Sequence, residues 1–177
     1  TKTRRAIVDD IKLVDVIVEL LDSRIPISSR NPDIDSLTSG KPRVVVFNKS
    51  DLADPGVPDL WVKSFSKDGI SSVVINSISG KGISNVLMAV REVLSEKIKV
   101  NSEKGINKSI RMMIVGVPNV GKSSFINKLS GKASAKTGDK PGVTRGKQWI
   151  RLGNGYELLD TPGILWPKFE DQSIGIK

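Results

Sequence analysis

Three short groups of residues have the types and spacing needed to bind a nucleotide. The first, residues 116–123, reads GVPNVGKS and fits the GxxxxGK[ST] pattern of a phosphate-binding loop. In such a loop the backbone N–H groups face the phosphates, the lysine (Lys122) reaches the β- and γ-phosphates, and the serine (Ser123) binds Mg²⁺. The predicted phosphate-binding residues are Pro118, Asn119, Val120, Gly121, Lys122, Ser123 and Ser124.

The second group distinguishes between purines. Residues 48–51 read NKSD and fit NKxD, in which the Asp51 carboxylate accepts hydrogen bonds from the guanine N1–H and 2-amino groups. Adenine offers no such pair of donors, so buried polar groups would be left unpaired. Asn48 and Lys49 complete this predicted guanine site, with the lysine stem packed along the base.

A looser match follows at residues 76–80, NSISG. GTP-binding proteins carry a Ser-Ala-Lys-like turn at this place, and one of its backbone N–H groups meets the guanine O6. Ser77 and Ile78 are the corresponding candidates here. The alternative is an ordinary turn at the end of a strand.

The third group, residues 160–163, reads DTPG. Asp160 would hold Mg²⁺ through water, and the Gly163 N–H would bond the γ-phosphate. Residues 136–147 before it are too polar and too rich in glycine for regular structure, which favours a switch loop ordered by γ-phosphate and Mg²⁺. Thr144 is our candidate for its metal-binding hydroxyl, with Thr137 and Thr161 as competitors.

The elements that must position these groups alternate along the chain. Apolar, β-branched segments predict strands at 14–21, 43–48, 72–76, 110–116, 147–152 and 156–160. Helices are predicted at 5–13, 59–67, 83–98 and 122–129. Near-continuous apolar runs indicate parallel strands that are covered on both faces, so the fold class is α/β. Only Gly-Asn-Gly separates the last two strands, which predicts one antiparallel pair.

The composition excludes several classes of protein. The 177 residues include no cysteine and no histidine, which rules out disulfides, thiolate zinc sites and imidazole chemistry within this chain. No segment has the roughly 20 apolar residues that a bilayer crossing needs. We therefore expect a cytoplasmic protein without a membrane partner, and we also predict a monomer. The net charge of +9 favours polyanions, either nucleotide phosphates or an RNA backbone, unless the lysines are simply solvated.

The order of the motifs is unusual, because GTPases ordinarily carry the phosphate loop before NKxD. Rotating the order restores a Ras-like P-loop GTPase domain with a six-stranded, mostly parallel sheet and one antiparallel strand, so we predict a circularly permuted domain over residues 1–177. Its base-recognition half would span about 1–95 and its phosphate and switch half about 110–177. The polar stretch at about 96–109 would connect the two on the surface.

With these motifs the chain resembles the circularly permuted GTPases of the YlqF/RbgA ribosome-biogenesis family. DSRIP at 22–26 is similar to the family's Asp-Ala-Arg-x-Pro signature, although an Asp–Arg turn would also explain it. GVPNVGKSSFIN, TGDKPGVT and LLDTPGILWPKFED match the phosphate-half motifs. The resemblance implies GTP hydrolysis during assembly of the large ribosomal subunit, with that subunit or its RNA as partner. The family's C-terminal helical domain and His-containing N-terminal segment are not within these 177 residues.

Hydrolysis would rely on Lys122, Thr144 and Gly163 as the catalytic residues. Ras-like proteins place a water-orienting glutamine after DxxG, but Ile164 stands here, so we expect slow turnover that the ribosomal particle accelerates. The alternative is an assembly scaffold that binds guanine nucleotide without appreciable hydrolysis. An ATPase would have no use for Asp51. Asn119 is either a potassium ligand beside the phosphates or a polar loop residue.

Overall fold

The structure is a computed structural model that describes residues 2–23, 40–48, 54, 56–116, 121–130, 148–152 and 155–160. Helices and strands are interspersed along this part of the chain, and all six predicted strands are present. In chain order they are α1 (Lys2–Ile11), β1 (Val16–Asp22), β2 (Arg43–Asn48), α2 (Val57–Lys67), β3 (Ser71–Val74), α3 (Ile83–Val93), α4 (Ser95–Glu103), β4 (Ile110–Val115), α5 (Lys122–Ser130), β5 (Gln148–Leu152) and β6 (Tyr156–Asp160).

The six strands form one sheet in the order β3-β2-β1-β4-β6-β5. All neighbours are parallel except β5 and β6, which pair antiparallel with Ile150 opposite Leu158. The predicted α/β class and the single antiparallel pair are therefore confirmed. The first strand along the chain is β1, and the strand that precedes the predicted phosphate loop, β4, is the fourth. The order of the strands is therefore rotated in the same way as the order of the motifs.

The parallel strands carry β-branched and other apolar residues on both faces because helices cover both. Every residue of β1 is buried, including Val16, Val18 and Leu20 on the face that α3 and α5 cover. On the opposite face Ile17 packs in a cluster with Ile11 of α1. The burial of β1 on both faces explains why its sequence is a continuous apolar run rather than an alternating one.

The second face holds two separate clusters. Phe47 of β2 packs edge to face on Phe65 of α2, with ring centroids 5.3 Å apart. Met113 and Leu159 belong to the other cluster, near the end of α1. Helices thus anchor both the strand that ends in the predicted base-reading motif and the strands of the predicted phosphate half.

Residues 83–98, predicted as one helix, form two helices, and the break falls at Leu94. This residue is buried and leaves helical geometry with φ −104° and ψ 11°. The Ile98 N–H still donates to the Leu94 carbonyl at 2.9 Å, so the apolar spacing continues across the break and the pattern could not reveal it. Helix α4 occupies the first part of the predicted connector and buries none of its residues. Its glutamate and lysine residues favour a helix as readily as a loop.

None of the helices described is both long and apolar enough to cross a bilayer.

Candidate functional site

The predicted motifs follow strands that end at one edge of the sheet. Asp22 ends β1 and lies opposite Asn48, the last residue of β2. Strand β4 runs parallel to β1 and leads into the phosphate-loop sequence, while β6 runs parallel to β4 and ends at Asp160. In α/β sheets, ligands bind outside the carboxyl ends of the parallel strands. The fold therefore brings the three motifs to the edge where a nucleotide would bind.

Asn48 and Ser77 join the two predicted base-reading segments. The Asn48 Nδ2 donates to the Ser77 Oγ at 3.0 Å, and the Ser77 backbone N–H donates to the Asn48 Oδ1 at 3.0 Å. Both residues are buried, at 1% and 3% exposure, where an unpaired amide or hydroxyl would be costly. This reciprocal pair holds the end of β2 and the turn after β3 as one unit.

Gly121 brings the phosphate loop into contact with this pair. Its φ is +90°, and a Cβ built on it would lie 2.3 Å from the Asn48 Nδ2 and 3.5 Å from the Ser77 Oγ. Only a residue without a side chain fits between the loop backbone and the Asn48 amide. The end of the predicted phosphate loop and the start of NKxD, far apart in sequence, are therefore in direct contact.

Helix α5 begins immediately after this glycine. The Phe125 N–H donates to the Gly121 carbonyl at 3.0 Å, and the Phe125 ring is fully buried in the core under the sheet. Anchored in this way, the helix presents its N-terminal end, where the backbone amides of the first turn lie, at the site. Lys122 and Ser124, both half-buried, lie in that first turn. A helix N-terminus beside a cradle that a Cβ would fill suits a phosphate group.

The turn after β3 is closed by hydrogen bonds within itself. The Asn76 N–H donates to the Lys81 carbonyl at 2.9 Å, and the Gly80 N–H donates to the Asn76 carbonyl at 2.8 Å. Ile78 is 77% exposed, so its side chain does not pack in the core. The Ile78 N–H donates to the Asn76 Oδ1 at 3.0 Å.

The predicted metal ligands come from separate elements. Asp160 ends β6 and pairs with Gln148, where β5 begins, so the strand entered from the predicted switch segment starts at the same edge. Ser123 lies in the first turn of α5. The residues described contain no cluster of three or more acidic, histidine or cysteine side chains. One aspartate and one hydroxyl suit Mg²⁺, which keeps several waters and binds substrate phosphates.

Several predicted site residues lie outside the described part of the chain and remain predictions. They are Lys49, Asp51, Pro118, Asn119, Val120, Thr144 and Gly163, together with Ile164. Among the remaining predicted site residues, the structure describes the side chains of Asn48, Ser77, Ile78, Lys122 and Ser124, and the backbone of Gly121, Ser123 and Asp160.

Sequence reasoning missed two residues at this edge. Asn76 was not singled out, although an asparagine that begins a turn commonly bonds backbone amides two and three residues ahead. Ser23 is fully buried after β1, and its N–H donates to the Asn48 carbonyl at 2.8 Å. It belongs to the DSRIP segment that resembles the family signature, but no separate role was predicted for it from the sequence.

Comparison with known proteins agrees with this arrangement. Residues 111–177 match the family model described as "50S ribosome-binding GTPase". Ribosome biogenesis GTPase A of Bacillus licheniformis is 50% identical over 177 residues, which cover 99% of this chain and 62% of the relative. The protein of the same name from Thermotoga maritima is 37% identical over 176 residues, 99% of this chain and 60% of the relative. The chain thus spans about three fifths of the length of these relatives.

A solved structure shares the fold over the whole chain. The crystal structure described as GNP-bound YlqF from T. maritima is similar with a TM-score of 0.70 and 32% identity, covering 100% of this chain and 64% of that one. One conclusion follows from the motifs, their permuted order, the sheet and the similarity over the full length of the chain. The chain has a P-loop GTPase fold and is homologous, over its whole length, to the ribosome biogenesis GTPase A proteins.

Proposed function

We propose that this chain binds guanine nucleotides with Mg²⁺, hydrolyses GTP and acts in the assembly of the large ribosomal subunit. The observation that carries the proposal is the contact of Gly121 with the Asn48–Ser77 pair. A single nucleotide can reach both the start of α5 and the carboxyl end of β2 because these elements touch. The names of the relatives support the ribosomal role.

Each residue has a distinct part in this proposal. The amides at the start of α5 and the Lys122 ammonium bind the phosphates, and Asp51 reads the base held next to Asn48. Ser123, Thr144 and Asp160 would hold Mg²⁺. When bound, this ion offsets the negative charge that develops on the phosphate oxygens during transfer. The Gly163 N–H orients the γ-phosphate, and Lys122 stabilises its developing charge.

The base assignment is tested by Asp51→Asn. A carboxamide donates a hydrogen bond to the xanthine 2-oxo group but clashes electrostatically with the guanine 2-amino group. We expect calorimetry to show preference moving from GDP to xanthosine diphosphate, by about a hundredfold or more in the ratio of the two Kd values. Asp54→Asn, three residues on and exposed, is the matched control and should leave the ratio unchanged. An unaltered preference in the Asp51 variant would show that another residue reads the base.

Hydrolysis is expected to be slow in the isolated chain. Ile164 occupies the position of the water-orienting glutamine and cannot hydrogen-bond a water, so an activating particle must supply that function. Single-turnover phosphate release, measured with and without large ribosomal subunits, tests this. Stimulation by the subunit supports an activated GTPase. Tight GTP binding with no release under either condition would instead favour the assembly scaffold.

Asn119 would serve as a potassium ligand beside the phosphates, where the cation acts in place of an arginine finger. Turnover in potassium buffer should exceed that in sodium buffer of equal ionic strength, and Asn119→Ala should remove the difference. Equal rates of the wild-type chain in both buffers would eliminate the idea. We also propose a cytoplasmic location, which the lack of cysteine in the sequence supports, and a monomeric state.

A further inference from the structure

The backbone amides of the turn at residues 76–81 are distributed among acceptors within the protein. The Ser77 N–H is committed to the buried Asn48 Oδ1. The Ile78 N–H and the Ser79 N–H both donate to the Asn76 Oδ1, at 3.0 and 3.2 Å. Of the two predicted donors to a guanine O6, only Ile78 is therefore on the exposed side of the turn, since the Ser77 amide is held inside.

Asn76 holds the turn through its backbone as well as its side chain. Its N–H bonds the Lys81 carbonyl, and its own carbonyl accepts from the Gly80 N–H at 2.8 Å and the Ser79 hydroxyl at 3.4 Å. The Ser79 Oγ in turn accepts from the Lys81 N–H at 3.2 Å. Loss of the Asn76 carboxamide would leave the Ile78 and Ser79 amides without the acceptor that fixes their direction.

The strand before the turn is fixed, so the amides cannot be realigned by moving the whole segment. Ile75 is fully buried, and its N–H donates to the Phe47 carbonyl at 2.8 Å. Gly82 closes against the same strand, and a Cβ there would lie 2.4 Å from the Val74 carbonyl oxygen. Between these two fixed points the Asn76 side chain is the group that sets the orientation of the Ile78 N–H.

We propose that Asn76 is a positioning residue for purine selection: its carboxamide oxygen orients the Ile78 N–H toward the oxygen at position 6 of the base. This inference rests on the proposed guanine-nucleotide function. It adds that the oxygen at position 6 of the base is recognised by a turn whose conformation Asn76 fixes. A turn already in its binding shape lowers the entropy cost of binding. The N–H is shared between the side-chain oxygen and the base oxygen, as three-centre hydrogen bonds allow.

The test separates position 6 from position 2 of the purine. Kd is measured for GDP, for inosine diphosphate, which lacks the 2-amino group, and for 2-aminopurine riboside diphosphate, which lacks the 6-oxygen and the N1–H. Because Asp51 is the same in the wild-type chain and in each Asn76 variant, the lost N1–H contact cancels when their ratios are compared. In Asn76→Ala the preference for GDP over the 2-aminopurine nucleotide should fall about fivefold to tenfold, the value of one hydrogen bond. The preference for GDP over inosine diphosphate should stay unchanged, because the carboxylate of Asp51 reads position 2.

Two variants serve as controls. Asn76→Asp retains an oxygen that accepts both amides and should restore the preference. Ser79→Ala removes the hydroxyl bonds but leaves the Asn76 Oδ1 in place, so it should leave the ratio near that of the wild-type chain. An equal loss of affinity for all three nucleotides in Asn76→Ala would indicate a merely structural role and overturn the inference. A rise in GDP preference would also overturn it, since Asn76 would then be competing with the base.

A measurement on the unaltered chain keeps the inference testable if Asn76→Ala does not fold. The ¹⁵N–¹H resonance of Ile78 should shift on addition of GDP and of inosine diphosphate but not of the 2-aminopurine nucleotide, and an unshifted resonance with GDP overturns the inference. Failure of the wild-type chain to prefer GDP over ADP would reject the proposed function itself. Normal GDP preference with an unchanged ratio in Asn76→Ala would reject only the role of Asn76.

Discussion

Asn48 connects three chain segments at the residue scale. Its carboxamide is paired through both polar atoms with Ser77, and its carbonyl accepts the Ser23 N–H at 2.8 Å. Its Nδ2 also lies so close to Gly121 that a Cβ added there would be only 2.3 Å away. The asparagine of NKxD therefore has a structural role in this chain, because it lies between the predicted base-reading turn and the end of the predicted phosphate loop.

Gly121→Ala should damage this contact. The added Cβ would meet the Asn48 Nδ2 at 2.3 Å in a backbone with φ +90°. We expect the free energy of unfolding to fall by about 2–3 kcal/mol and GDP affinity to fall at least about tenfold. Urea unfolding and calorimetry measure the two effects. Gly69→Ala is the matched control, since it has φ +76° with nothing within 4 Å of its added Cβ, and should cost about 1 kcal/mol without changing affinity. If Gly121→Ala and Gly69→Ala changed GDP affinity equally, the contact with Asn48 could not explain the loss.

Ser23 should tolerate loss of its hydroxyl. The Oγ is fully buried and has no hydrogen-bond partner among the residues described, so the chain bears the desolvation cost of this group. Ser23→Ala retains the backbone bond to Asn48 and resembles the Asp-Ala-Arg-x-Pro signature more closely. Thermal unfolding should show unchanged or higher stability, by up to about 1 kcal/mol. A marked loss of stability would reveal that the hydroxyl has a partner in the remaining part of the chain.

At the element scale, a side-chain link joins α3 of the predicted base half to β6 of the phosphate half. The Arg91 Nε donates to the Tyr156 hydroxyl oxygen at 2.7 Å, and that hydroxyl donates to the Leu87 carbonyl at 3.1 Å. The guanidinium carbon also lies 5.2 Å from the centre of the tyrosine ring. Tyr156 is buried, so the strand that ends in Asp160 is tied to the helix on its face.

Tyr156→Phe should weaken this link without opening a cavity. The ring keeps its packing while the buried hydroxyl and both of its hydrogen bonds disappear, which we expect to cost about 1–2 kcal/mol of unfolding free energy in a urea titration. The comparison variant is Arg151→Ala, whose ion pair with Glu157 spans 3.9 Å and whose side chain is 89% exposed. It should leave stability within error. The same result for both variants would mean that the link does not stabilise the fold.

At the scale of the whole molecule, the chain crosses between its two predicted halves at the edge of the sheet away from the predicted nucleotide site. Asp15, just before β1, accepts from the Lys97 Nζ of α4 at 2.6 Å and from the Arg111 N–H of β4 at 3.0 Å. A cavity of about 500 Å³ lies between α4 and the residues leading into β4. The crossing thus occurs at the amino ends of β1 and β4.

A flexible insertion at that crossing should be tolerated. Gly105 is exposed, with nothing within 4 Å of an added Cβ. An insertion of six residues, alternating glycine and serine, directly after it would therefore lengthen a surface loop. We expect a stability loss below about 1 kcal/mol and unchanged GDP affinity, because closure entropy grows slowly with loop length. The same insertion after Gly80, inside the base-reading turn, should abolish discrimination between GDP and ADP. Loss of GDP binding from the Gly105 insertion would show that the connector supports the site.

Local features of the sequence were enough to predict much of this molecule. The glycine and lysine spacing of 116–123, the apolar runs of the strands and the motif order can be read without knowing any contact. They predict the α/β class and the single antiparallel pair. Such features depend on residue type and near neighbours, which the sequence displays directly.

Tertiary structure decided what depends on residues far apart in the chain. The close approach of Gly121 to Asn48, the exchange of hydrogen bonds between Asn48 and Ser77, and the break between α3 and α4 at Leu94 are examples. The control of the Ile78 amide by Asn76 is local in sequence, yet its direction toward the site depends on the fixed strand beneath it. The physical reason is that steric fit and hydrogen-bond direction are properties of packed neighbours, and packing is determined only when all the elements are in place.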